Sequence, residues 1–182
     1  MRPEIAWHAA SLATAAAFET HARSLLGPGT VTSGRLCPAC GSDEHGRPWV
    51  RHLGRTVHVS LSRSGPHLVT AIASVDSEWP VGVDVEVARI DVLPSLVLAP
   101  GETDDLARAW ARKEAILKAR GTGLTTPMSA VVLADEQWQD LAAPEGYVAA
   151  LAGLGNGRVL STAGDDSTVP HAPTRGHGDG QE

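Results

Sequence analysis

Hydrophobic and polar residues alternate strictly along the segment from Val81 to Val87. Valine occupies positions 81, 83, 85 and 87, and Gly82, Asp84 and Glu86 lie between them. Because successive side chains of a strand point to opposite faces, the pattern predicts a β-strand with one apolar face and one face bearing two carboxylates. Side chains two residues apart on a strand are roughly 6.5–7 Å from each other. Asp84 and Glu86 therefore either converge on one cation or stand as two solvated acids on an exposed face.

A pattern of helical period follows between Thr103, the expected N-cap, and Gly121, the expected end of the helix. At about 100° per residue, one face collects the apolar residues Leu106, Ala109, Trp110, Ile116 and Leu117. Lys113 falls inside that face, so its ammonium must either reach solvent or meet an anion. Glu114 and Lys118 lie four residues apart along one edge of the face, and an ordinary helix ion pair is the alternative there.

Other apolar runs between turn residues predict a helix over residues 9–26 and strands over 57–62, 68–73, 128–133 and 147–151. The strands over 57–62 and 68–73 are predicted to form a hairpin with Ser62 and Arg63 at its tip. Residues 90–100 fit no single element. Residues 161–182 contain Gly, Asp, Thr, Pro and His without periodicity, and this composition predicts a disordered tail.

The overall composition restricts the class of protein. A chain of 182 residues with 42% hydrophobic and 20% charged residues suits one globular unit or two small lobes. The formal net charge of -6 argues against a nucleic-acid-binding protein. No apolar run approaches the ~20 residues of a membrane span, and the N-terminus lacks a signal-peptide pattern. We therefore expect a cytoplasmic protein.

The cations are distributed unevenly. Of 15 lysines and arginines, only Lys113 and Lys118 are lysines, which indicates either a site that needs ammonium groups or chance clustering. Arginines make one segment locally basic, either as a solvated face or as an anion site; they are Arg35, Arg47, Arg51, Arg55 and Arg63.

Two cysteines form a Cys-x-x-Cys pattern at Cys37 and Cys40, with His45 close behind. Such a pattern is typical of zinc sites, but a structural zinc site needs a fourth ligand, for which His52 and His58 are the nearest histidines. Reduced structural thiols in a turn are the alternative that a cytosolic protein favours.

Three carboxylates on two elements, Asp84, Glu86 and Glu114, offer the oxygen ligands that Mg²⁺ prefers. Two lysines beside them, Lys113 and Lys118, are suited to phosphate groups. The combination predicts a site for a ligand that contains pyrophosphate. The sequence has neither a P-loop nor a Rossmann glycine pattern.

The stretches VGVDVE (81–86) and WARKEAILKARGTGL (110–124) together resemble the paired signature of 4′-phosphopantetheinyl transferases. Residues 37–48 and 60–65 are similar to the upstream motifs of the surfactin-synthetase-activating type of that family. The resemblance implies an α+β fold of two similar α/β lobes related by a pseudo-twofold. We expect an N-terminal lobe over 1–76, which looks trimmed and would contact the nucleotide, and a C-terminal lobe over 77–160 with the catalytic motifs, before the tail at 161–182.

The resemblance also implies a role for each matching residue. Asp84, Glu86 and Glu114 would hold Mg²⁺, and Glu114 would also deprotonate the acceptor serine. Lys113 and Lys118 would bind the phosphates of coenzyme A, and Lys118 would also stabilise the leaving group. The 3′-phosphate region would be contacted by Arg47, Ser62 and Arg63. The family usually has Ser-His where this chain has Ser62-Arg63, and the connector between Glu86 and Trp110 is short for this type.

The implied reaction is transfer of 4′-phosphopantetheine from coenzyme A to a serine of an acyl or peptidyl carrier protein, with release of 3′,5′-ADP. Polyketide, nonribosomal peptide and fatty-acid synthases contain such carriers, and no nucleic-acid or membrane partner is expected. One alternative is a non-catalytic relative that binds coenzyme A or a carrier protein. Another is a different Mg²⁺-dependent phosphoryl enzyme, which would hydrolyse pyrophosphate without a protein acceptor.

Overall fold

A computed structural model describes residues 3–37, 39–75 and 77–153 of the chain. This part contains nine strands, β1 (Glu4–Ala9), β2 (Val31–Leu36), β3 (Arg47–His52), β4 (Arg55–Val57), β5 (Val59–Ser64), β6 (His67–Ile72), β7 (Gly82–Val87), β8 (Trp138–Leu141) and β9 (Tyr147–Ala152). Its helices are α1 (Thr14–Leu26), the single turn α2 (Pro94–Val97) and α3 (Leu106–Arg120). The predicted tail lies outside the described residues.

The strands form three antiparallel sheets of three strands each, in the orders β1-β6-β5, β2-β3-β4 and β7-β9-β8. Helix α1 packs its buried Phe18 and Ala22 against residues of β3 and β5. Helix α3 covers one face of the β7-β9-β8 sheet. The molecule is therefore a mixed α/β structure of small sheets and few helices. A pseudo-twofold relation between two lobes stays a prediction, as do the lobe boundaries.

Strand β7 is buried on both faces, which the alternating pattern alone did not predict. Val83 and Val85 pack among Val69, Ala149 and other apolar residues between two sheets. The opposite face, expected to be solvent-exposed, is covered by α3, and Asp84 is only 4% exposed. The interpretation of Asp84 as a solvated surface acid is therefore wrong.

Helix α3 begins two residues later than the sequence pattern indicated. Asp105 is its N-cap, and the Asp105 side chain accepts a hydrogen bond of 3.0 Å from the Arg108 amide. Thr103 is thus not the cap. Gly121 ends the helix in the left-handed conformation at φ 75°, as predicted, because glycine adopts this conformation without steric penalty.

Local patterns also misplaced several other elements. Residues 128–133 contain no strand; Met128–Ala130 and Leu133–Asp135 are 3₁₀ turns, and the Leu133 amide donates to the Glu102 carboxylate instead of to a neighbouring strand. Residues 4–9, at the start of the chain, pair with β6, so α1 begins at Thr14 rather than at position 9.

The predicted hairpin is confirmed as β5 and β6, although its turn lies farther along the chain than expected. Ser64 pairs with His67 at the end of the ladder, so Gly65 and Pro66 form the turn. Ser62 and Arg63 lie within β5 rather than at the tip. Within the described ranges, no helix is long and apolar enough to cross a membrane.

Candidate active site

The site is built where α3 crosses the polar face of β7, and Gly82 permits that approach. A β-carbon placed on Gly82 would lie 1.9 Å from the Ala115 carbonyl oxygen and 2.5 Å from the Ala119 nitrogen. Any side chain at position 82 would push the helix away from the strand. Glu114 and Lys118 flank these alanines on α3, so the same close contact brings Lys118 to Asp84 and Glu114 within electrostatic range of it.

Asp84 is the centre of the site. Its Oδ1 accepts hydrogen bonds of 2.6 Å from Lys118 Nζ and 2.7 Å from Ser62 Oγ. Its Oδ2 is buried and has no hydrogen-bond partner. Burial raises the pKa of Asp84, Glu86 adds to the rise, and Lys118 and Ser62 oppose it. A buried carboxylate oxygen without a partner is costly, so this oxygen is a position that favours a cation or a proton.

Three alternate serines of β5 hold β7 in place across the boundary between two sheets. Ser60 Oγ accepts from the Val83 amide at 3.0 Å, Ser62 donates to Asp84, and Ser64 Oγ donates to Glu86 Oε1 at 3.1 Å. The contacts advance in the same direction along both strands. The serines therefore fix the carboxylate face of β7 relative to the N-terminal half of the chain.

Glu86 and Glu114 complete a group of three acids around Asp84. Glu86 Oε1 also accepts from the Val87 amide at 2.8 Å. Burial raises the pKa of Glu114, the ammonium of Lys118 lowers it, and the charges of Asp84 and Glu86 raise it further. Mutual repulsion between these acids is relieved by a cation or a shared proton.

The donor set fits a hard divalent cation such as Mg²⁺, which binds oxygen ligands and keeps several waters. The unpaired Asp84 Oδ2 is the strongest sign of that fit. The carboxylate oxygens of Asp84, Glu86 and Glu114 do not all lie within 4.8 Å of one another. Among the described residues, the group of three that brings its ligand atoms within 4.8 Å of one another is Cys37, Cys40 and His45.

The structure does not bring Lys113 to the acids. Its side chain is completely buried, and Nζ donates to the Val97 carbonyl at 2.7 Å and to the Glu102 carboxylate. Of the two outcomes expected for Lys113, reaching solvent or meeting an anion, the structure shows the second, and the anion is Glu102. A buried and paired ammonium is not placed to receive a phosphate, so Lys118 is the lysine that the fold presents to the site.

Arg47 lies beside Gly121, at the C-terminal end of the helix that carries Lys118. Its guanidinium reaches the C-terminal end of α3, with Nη1 2.7 Å from the position of a β-carbon on Gly121. A cavity of about 500 Å³ there is lined by Arg47, Arg51, Trp49 and other residues. The guanidinium carbon of Arg51 lies over the Trp49 ring, 5.7 Å from the ring centroid. Two arginines and an aromatic ring suit a phosphorylated planar group.

Ser62 and Arg63 point to different surroundings, as expected for consecutive residues of a strand. Ser62 contacts Asp84 rather than the cavity of Arg47. Arg63 is exposed, and its Nη2 donates to the Leu12 carbonyl at 2.8 Å and to Thr14 Oγ1 at 3.1 Å, next to the start of α1. A phosphate contact by Arg63 stays a prediction.

Sequence reasoning missed two sets of residues. Ser60 and Ser64 share the period-two spacing of Ser62, and that spacing was the available signal. No sequence pattern marked Glu102. Its carboxylate accepts hydrogen bonds from the Ala99 amide, Lys113 Nζ and the Leu133 amide, and only folding brings these groups together.

Comparison with known proteins bears on the same residues. A sequence model of the 4′-phosphopantetheinyl transferase superfamily matches residues 80–152. This range contains β7, α3, β8 and β9, and hence all three acids and Lys118. A 4′-phosphopantetheinyl transferase of Bacillus subtilis is 30% identical over 124 residues, which cover 59% of this chain and 53% of that protein. The chain thus spans about half the length of this relative.

These similarities support the family predicted from the motifs, and the mixed α/β structure is consistent with its fold. They do not distinguish the surfactin-synthetase-activating type from others.

Proposed function

We propose that this protein transfers 4′-phosphopantetheine from coenzyme A to a serine of an acyl or peptidyl carrier protein. The observation that carries the proposal is the buried, unpaired Oδ2 of Asp84. The other oxygen of Asp84 accepts a hydrogen bond from the ammonium of Lys118, and the charge of Glu86 raises the pKa of Asp84. A purely structural ion pair gains nothing from an unpaired oxygen, whereas a site for a metal and a diphosphate needs one.

Asp84, Glu86 and Glu114 are the residues that would hold Mg²⁺. When bound, the ion would neutralise charge on the pyrophosphate oxygens of coenzyme A. Ser62 and Ser64 orient two of these carboxylates through their hydroxyl groups. Such outer partners fix the direction of ligand oxygens and so contribute to metal affinity.

Lys118 would bind the diphosphate. A lysine ammonium has three N–H groups, and here two of them donate to Asp84 Oδ1 and the Val83 carbonyl. The side chain is 27% exposed, so the remaining N–H is available to a phosphate oxygen. A positive charge at this point stabilises the negative charge that develops on the leaving group.

Glu114 would take the proton of the acceptor serine. Its raised pKa makes it a stronger base than an ordinary glutamate, which is the direction that general-base catalysis requires. The serine oxygen attacks the phosphorus that bears pantetheine, and a P–O bond forms. The P–O bond to the nucleotide breaks, 3′,5′-ADP departs with the electron pair, and Glu114 retains the serine proton.

The nucleotide end of coenzyme A is assigned to the cavity beside Arg47. The cavity and Lys118 lie at the same end of α3, so one extended ligand can contact both. Arg47 is suited to the 3′-phosphate, because a guanidinium binds phosphate through paired hydrogen bonds.

The decisive experiment is mass spectrometry of several apo carrier proteins after incubation with the protein, coenzyme A and Mg²⁺. We expect addition of one phosphopantetheine to at least one carrier, loss of the reaction on chelation of Mg²⁺, and no reaction with Asp84→Asn. Absence of the adduct on every carrier would contradict the proposal. Coenzyme A binding by calorimetry without transfer would instead support the non-catalytic alternative.

A further inference from the structure

A second group of metal-ligating side chains lies away from the acids, in the connection between β2 and β3. The Sγ atoms of Cys37 and Cys40 and one ring nitrogen of His45 all lie within 4.8 Å of one another. Cys40 Sγ is 3.5 Å from His45 Nε2. Both cysteines are free thiols, so the sulfurs are available as ligands.

The backbone is arranged to hold this group together. The Gly41 amide donates to the Cys37 carbonyl at 2.8 Å, and the Cys37 amide donates to the Ser42 carbonyl at 2.9 Å, so these two hydrogen bonds close the turn. A β-carbon on Gly46 would lie 2.4 Å from the Leu36 carbonyl oxygen and 2.5 Å from the Cys37 nitrogen. The segment after His45 is therefore pressed against the end of β2, which fixes the imidazole beside the sulfurs.

We propose that Cys37, Cys40 and His45 bind one Zn²⁺ ion that closes the connection between β2 and β3. Two thiolates and an imidazole form a ligand set that zinc binds in a tetrahedral arrangement. The sequence suggested His52 or His58 as a fourth ligand. His52 Nε2 instead contacts the Gly27 carbonyl at 3.3 Å. Among the described residues, the group of potential ligands around Cys37 includes neither His52 nor His58. The fourth position is left to water or a small anion.

The ion would act on the adjoining cavity through the backbone. Arg47 follows His45 by two residues and begins β3. Arg35 Nη1 donates to the Gly46 carbonyl at 3.0 Å, which ties β2 to the same point. A metal at His45 would thus fix the segment from which Arg47 enters the cavity. The zinc site itself does not depend on the proposed transferase activity.

The test is zinc content of the reduced, chelator-treated full-length protein after titration with ZnCl₂ and gel filtration. We expect one zinc per chain in the wild type and in the control Ser42→Ala, which alters the same connection but keeps all three ligands. Cys40→Ser and His45→Asn should bind zinc at least about tenfold more weakly, since loss of an outer-shell partner alone typically costs 10–100-fold.

Two measurements keep the test independent of folding defects in the variants. Bound zinc should slow alkylation of both cysteines in the wild type, and Co²⁺ should give the visible absorption of a tetrahedral thiolate site. Zinc below stoichiometry in the reduced wild type, or equal zinc in Cys40→Ser, would overturn the proposal. So would a Cys37–Cys40 disulfide that persists under the reducing conditions used for titration.

Discussion

The two lysines of this protein meet carboxylates in opposite ways. Lys113 and Glu102 form a closed pair: Lys113 is fully buried, and Glu102 also accepts hydrogen bonds from the amides of Ala99 and Leu133. Despite burial, these hydrogen bonds and Lys113 lower the pKa of Glu102. Lys118 and Asp84 form an open pair, in which one carboxylate oxygen has no partner and burial raises the pKa of Asp84.

The difference separates residues that hold the fold from residues suited to chemistry. A saturated buried pair joins the connector before α3 to the helix and to the 3₁₀ turns after it. In the open pair, the buried Asp84 Oδ2 lacks a partner, so a bound cation would stabilise it. The comparison predicts that one lysine matters for stability and the other for activity.

The largest expected effect is loss of transfer in Asp84→Asn and Glu114→Gln. Both substitutions preserve side-chain size and remove a charge that the proposed metal and base need. We expect kcat/KM to fall on the order of 10³-fold or more in the carrier-modification assay, with an unchanged circular dichroism spectrum. Asp140→Asn is the control, because Asp140 pairs with Arg108 and Arg112 outside the site. An equal loss in the control would contradict the assignment.

Lys113→Met should lower the free energy of unfolding by about 3–5 kcal/mol, because it leaves the carboxylate of Glu102 without its buried cation. Urea unfolding measures this change. Lys118→Met should cost distinctly less, since Lys118 is partly exposed and Asp84 can take up a proton instead. If Lys118→Met proved the more destabilising variant, the division between a structural and a functional lysine would fail.

Lys118→Arg should reduce transfer roughly tenfold while leaving stability nearly unchanged, because a planar guanidinium cannot replace a compact ammonium between Asp84 and a phosphate. Arg112→Lys is the matched exchange in the same helix. Arg112 stacks 4.1 Å above Trp138 and bonds Asp104 and Asp140. The variant Arg112→Lys should therefore have a free energy of unfolding lower by about 1 kcal/mol. Its transfer activity should change little. Similar activities for the two variants would argue against a role for Lys118.

The smallest effect is a pH dependence of stability. The pKa of Glu114 is raised above its ordinary 4.5, so the folded protein binds this proton more tightly than the unfolded chain. The free energy of unfolding should fall as pH rises from 4.5 through the raised pKa and then level off. Glu114→Gln lacks this contribution, so wild type should lose stability relative to it over that window.

Urea unfolding at a series of pH values measures the difference between wild type and Glu114→Gln. Mg²⁺ should offset the loss in wild type above the raised pKa, and less so in Glu114→Gln, because the ion relieves repulsion between the acids. A stability difference that stays constant with pH, and is unaffected by Mg²⁺, would contradict the electrostatic description of the site.

The sequence by itself determined the chemistry-bearing elements. Alternation identified β7 and placed Asp84 and Glu86 on one face, and helical period together with Gly121 identified α3 with Glu114 and Lys118 along an edge. These features are local, because strand and helix periods are properties of a few consecutive residues. The motifs on these two elements also indicated the family that the comparison with known proteins supports.

Only the tertiary structure decided which charged groups meet. The sequence motifs assigned both Lys113 and Lys118 to phosphate groups, but packing pairs Lys113 with Glu102 and Lys118 with Asp84. The serine contacts across β5 and β7, and the burial of Asp84 beneath α3, join residues distant in the chain. Burial and the supply of hydrogen-bond partners control the energy of a charge, and both depend on which segments pack together rather than on local sequence.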